Sequence, residues 1–168
     1  ADHIKERIEN GTLDIGLLPE PVDIARYEFL RMPVMEEWGV LTREDSPLMA
    51  LEVVRPQDLV GRPLMVSGRE LVQNELANWL GDDAQRLNIL IRYNLLYNIA
   101  MLVKSGFGDA LCIRLDCVYP GLRFIPLSPP LRLGSVLVWK KQQITSPAVG
   151  ALIAHTKQYL ESISDHVQ

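Results

Sequence analysis

Three short apolar segments separated by two helix-like segments constrain the fold of this chain more than any other feature. The sequences PLMVSG, LNILIRY and ALCIRL have the length and composition of buried strands. Between them, residues 69–80 and 95–105 have apolar side chains at helical spacing. The order strand–helix–strand–helix–strand is typical of a parallel sheet with right-handed crossovers. The sequence therefore predicts an α/β fold with a self-contained βαβαβ segment over about residues 64–118.

The local signals in this segment also predict how its helices begin. We expect Ser67 or Gly68 to cap the first helix, and Glu70 lies in the first turn, where a carboxylate is favoured. We expect the second helix to bury Leu95 together with Ile99.

The segments on either side of this unit are incomplete on their own. A helix over residues 2–10, the strand LDIGLL and two strands within residues 26–43 precede it; the strand LGSVLVWKK and a helix starting at Ser146 follow it. The simplest arrangement joins these outer pieces into a discontinuous first lobe, residues 1–63 and 126–168, interrupted by a second lobe, residues 64–125. The chain would then cross between lobes near residues 62–64 and 125–131. A cleft between two such lobes is a common place for a small ligand.

Composition excludes several classes of protein. The chain has 168 residues, 48% of them hydrophobic, and a net charge of −4, which is typical of a soluble globular protein. No apolar run approaches the roughly 18 residues of a membrane span. The opening ADHIKERIE lacks the basic segment followed by an apolar segment that is typical of a signal peptide. The acidic balance provides no footprint for a nucleic-acid backbone.

The sequence predicts no metal, no cofactor and no enzyme. Cys112 and Cys117 are five positions apart, unlike a zinc or redox pair, and Cys112 is best interpreted as a small buried hydrophobe in a reduced, cytoplasmic protein. His3, His155 and His166 lie in the first and last helices and form no ligand cluster. Nucleophile-elbow, dinucleotide and phosphate-loop motifs are absent from the sequence.

Four segments, in order, resemble the effector-binding domain of LysR-type transcriptional regulators. They are IENGTLDIGLL, TREDSPLMALEVVRPQDLVGRPLM, NIAMLVKSGFGDALCIRL and TSPAVGALIAHTKQYL. Ser46 stands where the family usually has a histidine, and Arg114 and Leu115 stand where a leucine–proline pair is usual. The resemblance covers nearly the whole chain.

This resemblance implies two Rossmann-like lobes joined by two crossover strands, a fold like that of type 2 periplasmic binding proteins. The family's domain ordinarily opens with a further strand, helix and strand, so the first lobe is expected to be N-terminally truncated. The family contacts DNA through an N-terminal winged helix-turn-helix, which this sequence does not include. The resemblance also implies a homodimer or higher homo-oligomer, paired through a helix of one lobe and a strand of the other.

In the first lobe, the candidate ligand contacts are Leu18, Pro19 and Glu20. They follow a predicted strand, and ligands of open α/β sheets lie beyond the carboxyl ends of the strands. The family places this loop on the cleft wall. The alternative is that Pro19 and Pro21 only end the strand and keep its edge from pairing.

In the second lobe, the candidates follow the three strands of the βαβαβ segment. Ser67, Gly68 and Arg69 lie where a helix is expected to begin, and the backbone N–H groups there would favour an anion. Arg69 could pair with a carboxylate. The family usually contributes a polar side chain and backbone donors at the next turn, which selects Tyr93, Asn94 and Leu95, with Asn94 foremost. Arg114 follows the third strand. The alternatives are that Ser67 and Asn94 are helix caps, that Arg69 is solvated, and that Arg114 pairs with Asp116 or another carboxylate.

We therefore predict a sensor domain of a LysR-type regulator that binds a small anionic or aromatic metabolite and makes no membrane contact. A solute-binding protein of a transport system shares this fold and is the alternative. An enzyme of the same fold is a third interpretation, although the sequence offers no catalytic motif for it.

Overall fold

The computed structural model describes residues 2–115, 117–142 and 146–164. The described chain is an α/β protein with these elements in order: α1 (Asp2–Glu9), β1 (Ile15–Pro19), β2 (Tyr27–Arg31), β3 (Glu36–Arg43), β4 (Pro63–Ser67), α2 (Glu70–Leu80), β5 (Asn88–Tyr93), α3 (Leu96–Lys104), β6 (Asp109–Ile113), β7 (Leu122–Pro126), β8 (Arg132–Leu133), β9 (Ser135–Lys140) and α4 (Pro147–Ser164). A short 3₁₀ turn forms over Pro56–Leu59. None of the helices in the described residues has the length and hydrophobicity of a membrane span.

The chain divides into two compact units. Unit 1 comprises Ala1–Met35 and Gly134–Gln168, and unit 2 comprises Glu36–Leu133. Residues 36–63 and 126–133, which the sequence assigned to the first lobe, lie in unit 2 because β3 pairs antiparallel with both β6 and β7. The passages between units therefore occur after Met35 and after Leu133, and not at the proline-containing segments near residues 62–64 and 125–131.

Unit 1 is a three-stranded sheet, in the order β1–β9–β2, with both neighbours antiparallel to β9. Among the described residues, its main buried cluster is formed by Ile8, Leu18, Tyr27, Val136 and Val138. Helix α1 packs closely against β1 at Gly16, where any side chain would meet Ile4 and Ile8. Ser146 accepts a hydrogen bond from the Val149 N–H at 3.3 Å, which confirms the predicted start of α4.

Unit 2 contains the predicted βαβαβ segment. Strand β4 pairs in parallel with β5 and with β6, in the sheet order β5–β4–β6–β3–β7. Side chains alternate across β4, so Leu64 and Val66 face one apolar cluster and Met65 faces another. The first cluster includes the buried face of α2, and the second includes Ile99 and other residues of α3.

Two local expectations in this segment are wrong. The N-cap of helix α2 is Arg69, one residue after Gly68 and two after Ser67, the two residues expected to cap it. Leu95 is 64% exposed because it is the extended N-cap residue before α3 and does not share the buried face of that helix.

A buried polar group joins the start of β6 to the segments around it. The side-chain carboxylate of Asp109 accepts hydrogen bonds from the Thr42 hydroxyl and from Arg62 Nε, the latter at 2.8 Å. Arg62 also donates to Ser46 Oγ at 3.0 Å. Thr42 and Asp109 are both buried, so their polar groups need hydrogen-bond partners within the protein.

We expect Asp109→Ala to lower the free energy of unfolding by about 3 kcal/mol, since it leaves a half-buried guanidinium and a buried hydroxyl without their partner. Chemical denaturation monitored by circular dichroism measures this change. Asp45→Ala is the control, because Asp45 pairs with Arg43 at the surface, where ion pairs contribute little. Equal losses in the two variants would contradict the importance assigned to Asp109.

Candidate ligand-binding site

The predicted contacts of unit 2 lie along one edge of its sheet. Ser67 is in register with Tyr93 at the ends of the parallel strands β4 and β5, and Arg114 directly follows β6. Because parallel strands end at the same edge, three separate parts of the sequence meet there. We call the seven residues of this edge the carboxyl edge: Ser67, Gly68, Arg69, Tyr93, Asn94, Leu95 and Arg114.

The turns after β4 and β5 touch each other at Gly68. The Gly68 N–H donates a hydrogen bond to the Tyr93 carbonyl oxygen at 2.8 Å. A Cβ atom at Gly68 would lie 2.9 Å from Asn94 Oδ1 and 3.3 Å from the Tyr93 carbonyl oxygen. Glycine at this position therefore allows the Asn94 amide to lie directly beside the turn that begins α2.

Two helices begin at the carboxyl edge, and neither is capped by its N-cap side chain. The N-cap residues, Arg69 for α2 and Leu95 for α3, are both in extended backbone conformation, and neither makes a side-chain capping hydrogen bond. The first N–H groups of a helix have no partner within the helix, and the helix dipole makes this end positive. Two such ends side by side favour a bound anion.

Neither Ser67 nor Asn94 is the N-cap of a helix. Ser67 Oγ accepts from the Arg69 N–H at 3.3 Å, which shapes the turn before the helix and does not cap the helix itself. Asn94 is exposed and precedes the N-cap of α3, so it is not a helix cap either. Among the described residues, we find no hydrogen bond from the Asn94 side chain.

The side chains of Tyr93 and Arg114 have partners within unit 2. The Tyr93 hydroxyl donates to the Leu111 carbonyl oxygen at 2.7 Å, and burial raises the pKa of Tyr93 well above its ordinary value. Arg114 Nε donates to Glu37 Oε2 at 2.7 Å, which is the ion pair with another carboxylate considered above. Asp116, the other partner considered, lies outside the described residues. Leu95 is exposed.

The candidates of unit 1 have different surroundings. Leu18 is fully buried in the core, so its side chain packs and is not available to a ligand. Pro19 is the last residue of β1, paired with Ser135, in agreement with the strand-ending alternative. The Glu20 N–H donates to the Gly134 carbonyl oxygen at 2.8 Å, and the Glu20 carboxylate accepts from Arg31 Nε at 3.4 Å.

Sequence reasoning missed Glu37 and Phe124. Glu37 is 77 positions before its partner Arg114, and the Arg114 guanidinium lies 4.5 Å above the ring of Phe124. A carboxylate at the start of a strand carries no local signal of such a partner. Only the pairing of β3 with β6 brings the two together.

A cavity of about 260 Å³ lies elsewhere in unit 2, between α2 and the strands β4 and β5. Its lining is mainly apolar and includes Val66, Leu76 and Leu111. Arg92 and Gln73, also in the lining, are hydrogen-bonded to each other at 3.2 Å. Because the cavity includes none of the carboxyl-edge residues, it is separate from the candidate site.

The described residues contain no group of three or more His, Cys, Asp or Glu side chains placed to share a metal ion. His166 lies outside those residues. Cys112 is buried, and burial raises the pKa of its thiol to about 12, whereas Cys117 is exposed. A thiol with so high a pKa stays protonated and unreactive at physiological pH.

Two α/β units joined by two passages of one chain, the second of them with a parallel βαβαβ segment, define a protein of the periplasmic-binding-protein type 2-like class. The model of the family described as LysR substrate binding domain matches residues 1–161. This chain belongs to that family, and the fold class predicted from the sequence is confirmed.

Solved structures of LysR-family proteins are similar to this chain. A putative LysR family transcriptional regulator from Pseudomonas aeruginosa, the PA01 protein, has 17% identity and a TM-score of 0.75 over 95% of this chain and 57% of that chain. The C-terminal domain of a probable LysR family transcriptional regulator from Rhodococcus sp. RHA1 has 18% identity and a TM-score of 0.78, over 94% of this chain and 80% of that chain. The effector binding domain of QuiR, in complex with shikimate, has 16% identity and a TM-score of 0.83, over 95% of this chain and 77% of that chain.

At these identities the likeness shows the fold. The chain spans only 57% of the length of the Pseudomonas protein. No curated protein matches the sequence.

The two cysteines provide a test of the carboxyl half of unit 2. We expect iodoacetamide at pH 8 to alkylate Cys117 readily and to leave Cys112 unmodified in the folded protein, because the raised pKa of Cys112 and its burial both oppose reaction. Peptide mass spectrometry measures the two sites, and alkylation in denaturant is the control in which both react. Rapid modification of Cys112 in the folded protein would contradict its position inside the sheet.

Proposed function

We propose that this chain is the ligand-sensing part of a LysR-type transcriptional regulator, and that the carboxyl edge of unit 2 contributes the contacts to a small anionic metabolite. The observation that supports the proposal is the contact between Gly68 and Asn94 at the start of two helices without side-chain caps. Membership of the LysR substrate-binding domain family supports the regulatory context.

Each group at this edge has a defined chemical purpose in the proposal. The backbone N–H groups that begin α2 and α3 donate to a carboxylate or a similar anion. The Asn94 amide provides both a donor and an acceptor, which selects the orientation of the ligand. Arg69, at the N-cap of α2, adds a positive charge and a forked donor. These groups can hold a ligand. None of them is a nucleophile or a general base, so the proposal gives them no part in a reaction.

Regulation would follow from a population shift. A ligand that binds one conformation of the sensor better than another changes the proportion of the two by its difference in affinity. In a regulator, this change would reach DNA through a separate winged helix-turn-helix domain in a cytoplasmic homo-oligomer. The proposal therefore requires the ligand to have unequal affinities for the two conformations.

A thermal-shift screen of small carboxylates, aromatics and sugars, including shikimate, tests the site. We expect carboxylates to raise Tm, and we expect Asn94→Ala and Arg69→Ala each to weaken binding about tenfold through loss of a hydrogen bond to a charged group. Asn88→Ala, at the exposed start of β5 and so at the opposite end of that strand from Asn94, and Arg86→Ala, which removes a surface partner of Asp83, are the matched controls. Hits that bind equally well to both site variants would contradict the site assignment.

The charge of the ligand is tested separately. We expect the primary amide of any carboxylate hit to bind at least about tenfold more weakly than the acid, since the helix ends and Arg69 favour an anion. Isothermal titration calorimetry on the two compounds measures the difference. Equal affinity for acid and amide would show that the edge does not select a negative charge.

A further inference from the structure

The chain enters unit 2 at Glu36 and leaves it at Leu133, and these two residues are paired with each other. Strands β3 and β8 are antiparallel, with Glu36 opposite Leu133 and Glu37 opposite Arg132. This two-residue ladder is short, so the entry and exit segments need further contacts to be held on the sheet.

Arg114 supplies such contacts from the end of β6. Its backbone N–H donates to the Glu37 carbonyl oxygen at 2.7 Å, and its side-chain Nε donates to Glu37 Oε2, also at 2.7 Å. One arginine therefore binds both the backbone and the side chain of the second residue of unit 2. The side chains of Arg114 and Glu37 are 47% and 30% exposed, so the ion pair is only partly screened by water.

The aromatic ring beneath the guanidinium fixes its position. The Arg114 guanidinium stacks over Phe124 at 4.5 Å from the ring centre. Phe124 in turn lies against Gly39 of β3, where a side chain would meet both the ring and the Ile125 carbonyl oxygen. Because arginine is planar and stacks on aromatic rings, lysine would not reproduce this geometry.

We propose that Glu37, Arg114 and Phe124 form a clamp that ties the carboxyl edge to the segments at which the chain enters and leaves unit 2. Arg114 is then a positioning residue that acts through Glu37, in addition to any contact it makes with a ligand. An anion that drew the guanidinium away from Glu37 would loosen the entry segment, which gives ligand binding a direct route to the passages between units. That consequence rests on the proposed function, whereas the clamp itself does not.

Hydrogen-exchange mass spectrometry of the whole chain tests the clamp without a ligand, so its failure is distinct from failure of the proposed binding site. We expect Glu37→Gln and Arg114→Gln each to raise exchange at residues 36–39 and 130–133 about three- to tenfold, the range for a partly exposed ion pair with charged hydrogen bonds. Exchange in β4 and α2 is expected to stay at the wild-type level. Glu36→Gln is the matched control, since its side chain points to the other side of the strand.

Two further variants separate a specific pair from general destabilisation. The exchanged pair E37R/R114E is expected to recover at least part of the lost protection, and Arg114→Lys to give an intermediate rate because it keeps the charge and loses the stacking. High salt is expected to raise exchange in the wild type and to leave Glu37→Gln unchanged. Wild-type exchange in Glu37→Gln, or an equal rise throughout unit 2, would overturn the proposal.

Discussion

Strand β4 hydrogen-bonds in parallel to β5 on one side and to β6 on the other, and this pairing determines where every candidate contact of unit 2 lies. Since the three strands run in the same direction, the turns that follow them meet at one edge. Since each of the first two turns leads into a helix that packs back on the sheet, two helix N-termini point their N–H groups to that edge. Gly68 completes the arrangement because a Cβ atom there would lie only 3.3 Å from the Tyr93 carbonyl oxygen, so glycine eases the close approach of the two turns.

Most helices and strands of this fold were predictable from the sequence because their signals are local. The apolar runs of β4, β5 and β6 and the helical spacing between them specify the βαβαβ segment, and Ser146 with Pro147 specifies the start of α4. The assignment of β3 to a unit was not predictable in this way. Its sequence indicates a strand, but its partners β6 and β7 lie about 70 or more residues away, and only that pairing places residues 36–63 in unit 2.

For the candidate site, too, the local features were predictable from the sequence and the long-range contacts were not. The predicted topology places two segments in turns after parallel strands, Ser67–Arg69 and Tyr93–Leu95. The structure brings these two turns together. The surroundings of individual side chains could not be predicted from the topology. Leu18 lies in a core, the Tyr93 hydroxyl donates to the Leu111 carbonyl oxygen, and Arg114 pairs with Glu37. Each of these depends on a contact distant in sequence, whereas the position of a turn depends only on where a strand ends.

We propose that an anion binds to the backbone N–H groups at the starts of α2 and α3. Amide chemical shifts in a two-dimensional ¹H–¹⁵N NMR titration of the labelled chain with shikimate, or with the strongest carboxylate hit, report on those groups one by one. We expect the largest shifts at residues 68–72 and 94–98, with smaller shifts elsewhere. Saturable binding that leaves both sets of amides unchanged would contradict it.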